Sequence, residues 1–220
     1  MLPIGGKGQG EGGASPRINR LPTSQPSSTP ITTRGYLPMA RVPYLDADDL
    51  PEEHKSLLNR PINLFRALVN SPGAAKAMSG LGGYIRHGSQ LDGRVRELAI
   101  LQVGWLAKSP YEWSHHVKIG KDFGLNDADI EALKAETAGE TTSLSPLERL
   151  ALKGAREMAV GGEMTEATFK DLEEHLQRDL LIDLIVTIGF YCAVVRILPS
   201  LGIDVEDSYQ PYLDAHPLPE

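Results

Sequence analysis

Residues 91–123, LDGRVRELAILQVGWLAKSPYEWSHHVKIGKDF, read as two helices meeting at Ser109-Pro110. The first carries Val95, Leu98, Ala99, Leu101, Gln102 and Trp105 at helical spacing, with Arg94, Arg96 and Glu97 at its start. The second opens with Ser109 as N-cap, Pro110 at the first helical position and Glu112 three residues after the cap. His115 and His116 follow. Glu112 and His116 are four apart and share a helix face, and Arg94 and Glu97, three apart, share another. The hairpin is therefore expected to gather carboxylate, imidazole and guanidinium groups, a set suited to proton transfer on an anionic substrate.

Outward from the hairpin the same periodicity predicts helices near 50–59, 62–70, 73–87, 127–136, 146–159, 165–176 and 179–198. Asn126 and Ser145 are legible N-caps, Thr165 starts its helix after the Gly161-Gly162 break, and Ser145 to Glu148 repeats the capping pattern of Ser109 to Glu112. No alternating strand pattern is present, so the expected fold is all-α, built from antiparallel helical hairpins. The last helix, LLIDLIVTIGFYCAVVRIL, is apolar nearly all round and must be covered on most sides, by its own chain or in an oligomer. Its apolar run from Leu180 to Val195 contains Asp183 and falls short of the roughly 20 residues of a membrane span. Three parts result: a flexible Gly-, Pro- and Ser-rich segment over 1–38, a helical domain over 39–206, and an acidic tail over 207–220 that Tyr209 and Tyr212 can anchor. The first segment reads as a leader, an arm or a transit peptide, with Met39 as an alternative start.

Of the net charge of −7, residues 1–38 hold +3, leaving −10 for the rest. That argues against a nucleic-acid surface. One cysteine, Cys192, permits neither an internal disulfide nor a cysteine zinc site and fits a reducing, cytoplasmic compartment.

RELAIL at 96–101, YEWSHH at 111–116 and the GL-x-D-x-x-I-x-AL pattern at 124–133 resemble the carboxymuconolactone decarboxylase family, within the wider alkylhydroperoxidase-D-like superfamily. MARVPYLDADDLPEE at 39–53, NLFRAL at 63–68 and GFYCAVVRILPSLGI at 189–203 look like the same family. The peroxidase branch of that superfamily uses a glutamate, a C-x-x-C pair and a histidine four residues beyond the second cysteine. The resemblance puts the glutamate on Glu97 and the histidine on His116, but Ser109 and Glu112 stand where the cysteines would be. Neither forms a disulfide or a sulfenic acid, so thiol peroxidase chemistry is not expected. The decarboxylase branch needs no metal or organic cofactor.

What the resemblance implies is a cofactor-independent lyase or isomerase acting on a small carboxylated lactone or a related enolisable acid. His116 would deliver the proton, Glu97 would orient the imidazole, and Arg94 would grip a carboxylate, with Arg96 the less favoured alternative. Glu112 joins the catalytic set; His115, Trp113 and Tyr84 are candidate substrate contacts, and His87 and Arg196 further candidate walls. Plainer readings stand beside these. Ser109 and Glu112 form a cap, Glu97 favours a helix dipole, and Trp105, Trp113 and Tyr111 pack. A metal held by Glu112, His115 and His116 lacks a recognisable motif. The family also implies a homo-oligomer, a trimer or hexamer, with no nucleic acid or membrane as partner. A non-catalytic oligomeric scaffold with a vestigial pocket is the rival reading; an oxidoreductase with borrowed thiols ranks last.

Overall fold

The computed structural model describes residues 40–219. The expectations for residues 1–38 and for a start at Met39 lie outside the described residues. Among the latter, two 3₁₀ turns, Ala47–Asp49 and Glu52–Leu58, precede nine α-helices and no strand. The helices are α1 (Asn63–Leu68), α2 (Pro72–Gly83), α3 (Gly93–Leu106), α4 (Pro110–Asp122), α5 (Asp127–Thr137), α6 (Pro146–Gly161), α7 (Glu166–Glu173), α8 (Arg178–Leu201) and α9 (Gln210–Ala215). A π-helical turn, Tyr84–Gly88, extends α2, closed by Ser89 N–H on the carbonyl of Tyr84 at 2.9 Å.

The expected caps at Asn126 and Ser145 are present, and Thr165 caps its helix as well. Asn126 accepts from the N–H groups of Ala128 and Asp129, Thr165 from Thr168, and Ser145 and Glu148 cap each other reciprocally. At Ser109 only half of that box forms: the hydroxyl accepts from Glu112 N–H, while Ser109 N–H goes to the carbonyl of Gly104. The Glu112 carboxylate is thereby left for the site.

The most enclosed helix is α3, buried without a break from Val95 to Gly104. It packs on α4, α6 and α8. The expected cover of α8 is partial within the chain: α8 keeps an open side where Ile182 is 53% and Val186 37% exposed. By length and composition alone α8, with a mean hydropathy of 2.2 over its most apolar 18 residues, could cross a membrane, but α3, α6, α7 and α4 pack against its other sides. Polar content misleads here because Arg96 and Glu97 of α3 are buried as an ion pair inside the protein, Nε of the one donating to Oε1 of the other.

Two apolar clusters hold the fold. The larger joins α1, α2, α3, α6 and α8 around Leu64, Ala75, Ile100, Leu184 and Ile188. The smaller gathers Leu98, Trp113, Val117, Ile130, Leu133 and Leu152. Tyr212, Leu213 and Leu218 pack on the second, so the C-terminal stretch is part of the fold rather than a tail. It forms α9, a helix that the acidic, Pro-containing sequence did not suggest.

Candidate active site

Ser109 and Pro110 fold α4 back against α3 and bring Glu97 to His116. Glu97 Oε2 lies 2.7 Å from His116 Nδ1, and Glu97 Oε1 accepts from Arg96 Nε at 2.9 Å. On the other side of the ring, Glu112 Oε1 lies 2.9 Å from His116 Nε2. That contact is charge-to-charge and off the hydrogen-bonding line, since Glu112 Oε1 is buried with no hydrogen-bond partner among the described residues. All four side chains are buried, in a row of alternating charge: Arg96, Glu97, His116, Glu112. The guanidinium of Arg96 also lies 4.2 Å over the ring of Phe123.

The charges decide the protonation. Burial pulls the His116 imidazolium down, but Glu112 and Glu97 together outweigh it, and His116 titrates above its ordinary value. Burial pushes Glu97 up, yet His116 and Arg96 hold it below the ordinary carboxylate range. His115 behaves oppositely: burial dominates its Glu206 partner and lowers it.

His116, Glu112 and His115 line a cavity of about 230 Å³ between α4, α8, α2 and the stretch 60–65. Its floor is apolar, from Leu64, Phe65, Met78, Ile119 and Val194. Tyr191 of α8 meets the His116 ring edge-on at 4.9 Å between centroids, and burial raises its phenol so that it stays protonated. Arg60 and Arg86 bring the cationic groups, and His87 adds an imidazole. The π turn explains how Arg86 and His87 reach it. Met78, Ser79, Gly82 and Gly83 of α2 face the cavity, and a turn wider than α keeps the next pair in the same arc instead of rotating it away.

Three expected contacts lie elsewhere. Arg94 is not a clamp: its guanidinium spans Asp129 at 2.9 and 3.0 Å and Glu148 at 3.1 Å and also donates to the carbonyl of Gly124, tying α3 to α5 and α6. Trp113 is fully buried in the smaller cluster and donates through Nε1 to the carbonyl of His216 at 2.6 Å. Tyr84 is 48% exposed and donates to Asp183 outside the cavity. Arg196 is exposed and donates to the carbonyl of Cys192. Ser109 is a cap and does not line the cavity. Of the candidate walls, His87 does line it. Arg60, Arg86, Tyr191 and Glu206 were not singled out from the sequence; only the GFYC run around Tyr191 carried a signal, through the family resemblance. Among the described residues no three His, Cys, Asp or Glu side chains are arranged to hold a metal ion.

The carboxymuconolactone decarboxylase family model matches residues 72–157, the span from α2 into α6 that holds Glu97, Glu112, His115 and His116. None of the curated proteins matches the chain significantly. Several solved structures share its fold. An uncharacterised peroxidase-related protein with an alkylhydroperoxidase AhpD core, from Ralstonia eutropha JMP134, superposes with a TM-score of 0.69 at 18% identity, covering 83% of this chain and 99% of that one. A peroxidase-related protein from Silicibacter sp. TM1040 gives 0.66 at 20% identity over 80% and 96%. The debrominase Bmp8, in complex with 2,3,4-tribromopyrrole, gives 0.63 at 16% identity over 82% and 97%. Residues 72–157 are thus similar to the carboxymuconolactone decarboxylase family, and the chain carries a single cysteine and no C-x-x-C pair.

Proposed function

We propose that the protein is a cofactor-independent lyase or isomerase that moves a proton on a small carboxylated lactone or a related enolisable acid. The observation that carries this reading is His116 held between Glu97 and Glu112 at the wall of a cavity that Arg60, Arg86 and Tyr191 also line. The arginines offer bidentate contacts to a substrate carboxylate, in place of the expected Arg94. When the scissile carboxylate leaves as carbon dioxide, the carbon–carbon bond pair passes into the lactone carbonyl as an enolate. His116 then gives a proton to the carbanionic carbon and regains one from solvent. Glu97 holds Nδ1, so Nε2, which no acceptor aligns with, is the nitrogen placed to donate.

A scaffold with a vestigial pocket would fill the space with a tryptophan, but Trp113 is packed in the core and Trp105 lies against it at 5.2 Å between centroids, both away from the cavity. Thiol peroxidase chemistry has no paired sulfurs here, and Cys192 does not line the cavity. The test is a panel of lactone acids, 4-carboxymuconolactone first, assayed for carbon dioxide release and for ring isomers. Turnover is expected to fall by roughly 10²–10⁴ in His116→Ala; unchanged turnover in a folded His116→Ala protein would sink the reading.

A further inference from the structure

The C-terminal segment, outside the residues that match the family model, returns to the cavity. Gly202, at φ +65°, ends α8 in the left-handed region and redirects the chain. The Asp204 carbonyl then accepts from Asn63 Nδ2, and Glu206 reaches the start of α1. Its Oε1 accepts from Asn63 N–H at 2.6 Å and from the Tyr111 hydroxyl at 3.1 Å, and its Oε2 lies 2.7 Å from His115 Nε2. The His115 ring is stacked between Tyr111, 4.1 Å away, and Tyr209, 3.5 Å away. With both faces covered and Nε2 engaged, the edge bearing Nδ1 is what His115 can offer to the cavity it lines.

We propose that Glu206 is a positioning residue that makes His115 a second proton-handling histidine of this cavity, fixing the proton on Nε2 so that Nδ1 presents its lone pair as a base. The inference rests on the proton-transfer reading above and extends it. The charged and titratable groups around His115 are Glu206 and Tyr209 from the C-terminal segment, Tyr111, Glu112 and His116 from α4, and Arg60, Arg86 and His87 around the cavity. Burial keeps His115 neutral while two carboxylates keep His116 charged, which gives the cavity one base and one acid. Nδ1 of His115 takes a proton from a carbon next to the carbonyl, the C–H electron pair forms the enolate, and His116 supplies a proton to a different carbon. Water exchange resets both rings, and nothing is oxidised or reduced.

The test uses the full chain, labelled with nitrogen-15, without substrate. Long-range proton–nitrogen spectra of the imidazoles across the His115 titration are expected to show the Nε2–H tautomer of His115 in the wild type. In Glu206→Ala the Nδ1–H form should rise several-fold. In Glu206→Gln, which can still accept from Nε2–H but lacks the charge, His115 should titrate at lower pH while His116 stays in place. A Nδ1–H tautomer in the wild type, or an unmoved His115 in Glu206→Gln, would overturn the proposal. With a lactone acid that the wild type isomerises, Glu206→Gln should shift the acid limb of kcat/KM to lower pH and leave the alkaline limb; a profile scaled down without a shift also overturns it. Inactivity of the wild type on every lactone acid would fell the function proposed above, while the tautomer still decides the role of Glu206.

Discussion

Glu97 and His116 make opposite demands on pH that a denaturation experiment can separate. Glu97 titrates lower in the folded chain than in the unfolded one, so its contribution is present above the ordinary carboxylate range and lost as pH falls through the lowered value. His116 titrates higher in the folded chain, so its contribution is complete below about 6.5 and lost as pH rises through the raised value. The urea midpoint is therefore expected to fall between neutral pH and the onset of tyrosine ionisation, and to lose this slope in His116→Gln. Equal slopes in both proteins would show that the imidazole is not held charged. The same residue scale carries the redox prediction. Burial raises the Cys192 thiol, which opposes thiolate formation, and no second cysteine exists to resolve a sulfenic acid. Peroxide turnover with a dithiol reductant should be absent; robust turnover that vanished in Cys192→Ser would contradict it. The Glu97–His116 meeting was legible because the Ser109-Pro110 turn fixes where α4 begins. Arg94 was misread because helix phase does not say which neighbour an arginine will find, and here it finds Asp129 and Glu148.

Arg94 acts at the scale of elements, where it binds α3 to α5 and α6 through a bidentate contact with Asp129 and a second carboxylate. Its side chain keeps a third of its exposure, so screening limits the gain, and Arg94→Ala should lose about 1 kcal/mol of stability while leaving KM as it is. Arg86→Ala should do the reverse, raising KM with little loss of stability, if its guanidinium grips a substrate carboxylate equally in ground and transition states. Measured on one active lactone acid, a raised KM in Arg94→Ala and none in Arg86→Ala would exchange their roles. Helix starts were readable because side-chain caps are local chemistry: Asn126, Ser145 and Thr165 sit where their hydroxyl or amide can reach an open N–H. The π turn and α9 were not, since each exists through tertiary contacts. Arg86 and His87 reach the cavity only because the turn widens, and α9 forms against α4, where Trp113 holds the carbonyl of His216 and the His216 ring lies 2.8 Å from Asp127 and 3.0 Å from Glu131.

Among the described residues, apart from Val160 on α6, the exposed large apolar side chains gather where the end of α2 meets α8. Ile182 and Val186, one turn apart on α8, are 53% and 37% exposed, and Leu81 and Tyr84 at the end of α2 are 38% and 48% exposed. Tyr84 donates to Asp183 at 3.0 Å, which holds the two helices side by side. Asp183 itself is half-buried and also accepts from the Ser89 hydroxyl at 2.5 Å, so this carboxylate is satisfied within the chain and does not oppose burial of its neighbours. Fully covering a side chain of the Ile or Leu class is worth roughly 1.5–3 kcal/mol relative to leaving it exposed, and four neighbouring side chains partly uncovered make a continuous incentive to associate. We therefore propose that this face is buried in a homo-oligomer, a trimer or hexamer being the assembly the family resemblance implies. Ile182→Glu with Val186→Glu would place two carboxylates in that contact. The double variant should elute and scatter as a smaller species than the wild type at low micromolar concentration, with helicity unchanged by circular dichroism. Cavity residues Phe190, Tyr191 and Val194 lie one to two turns beyond Val186 on the same helix, so dissociation should also weaken turnover. A wild-type chain that scatters as a monomer at that concentration would end the proposal.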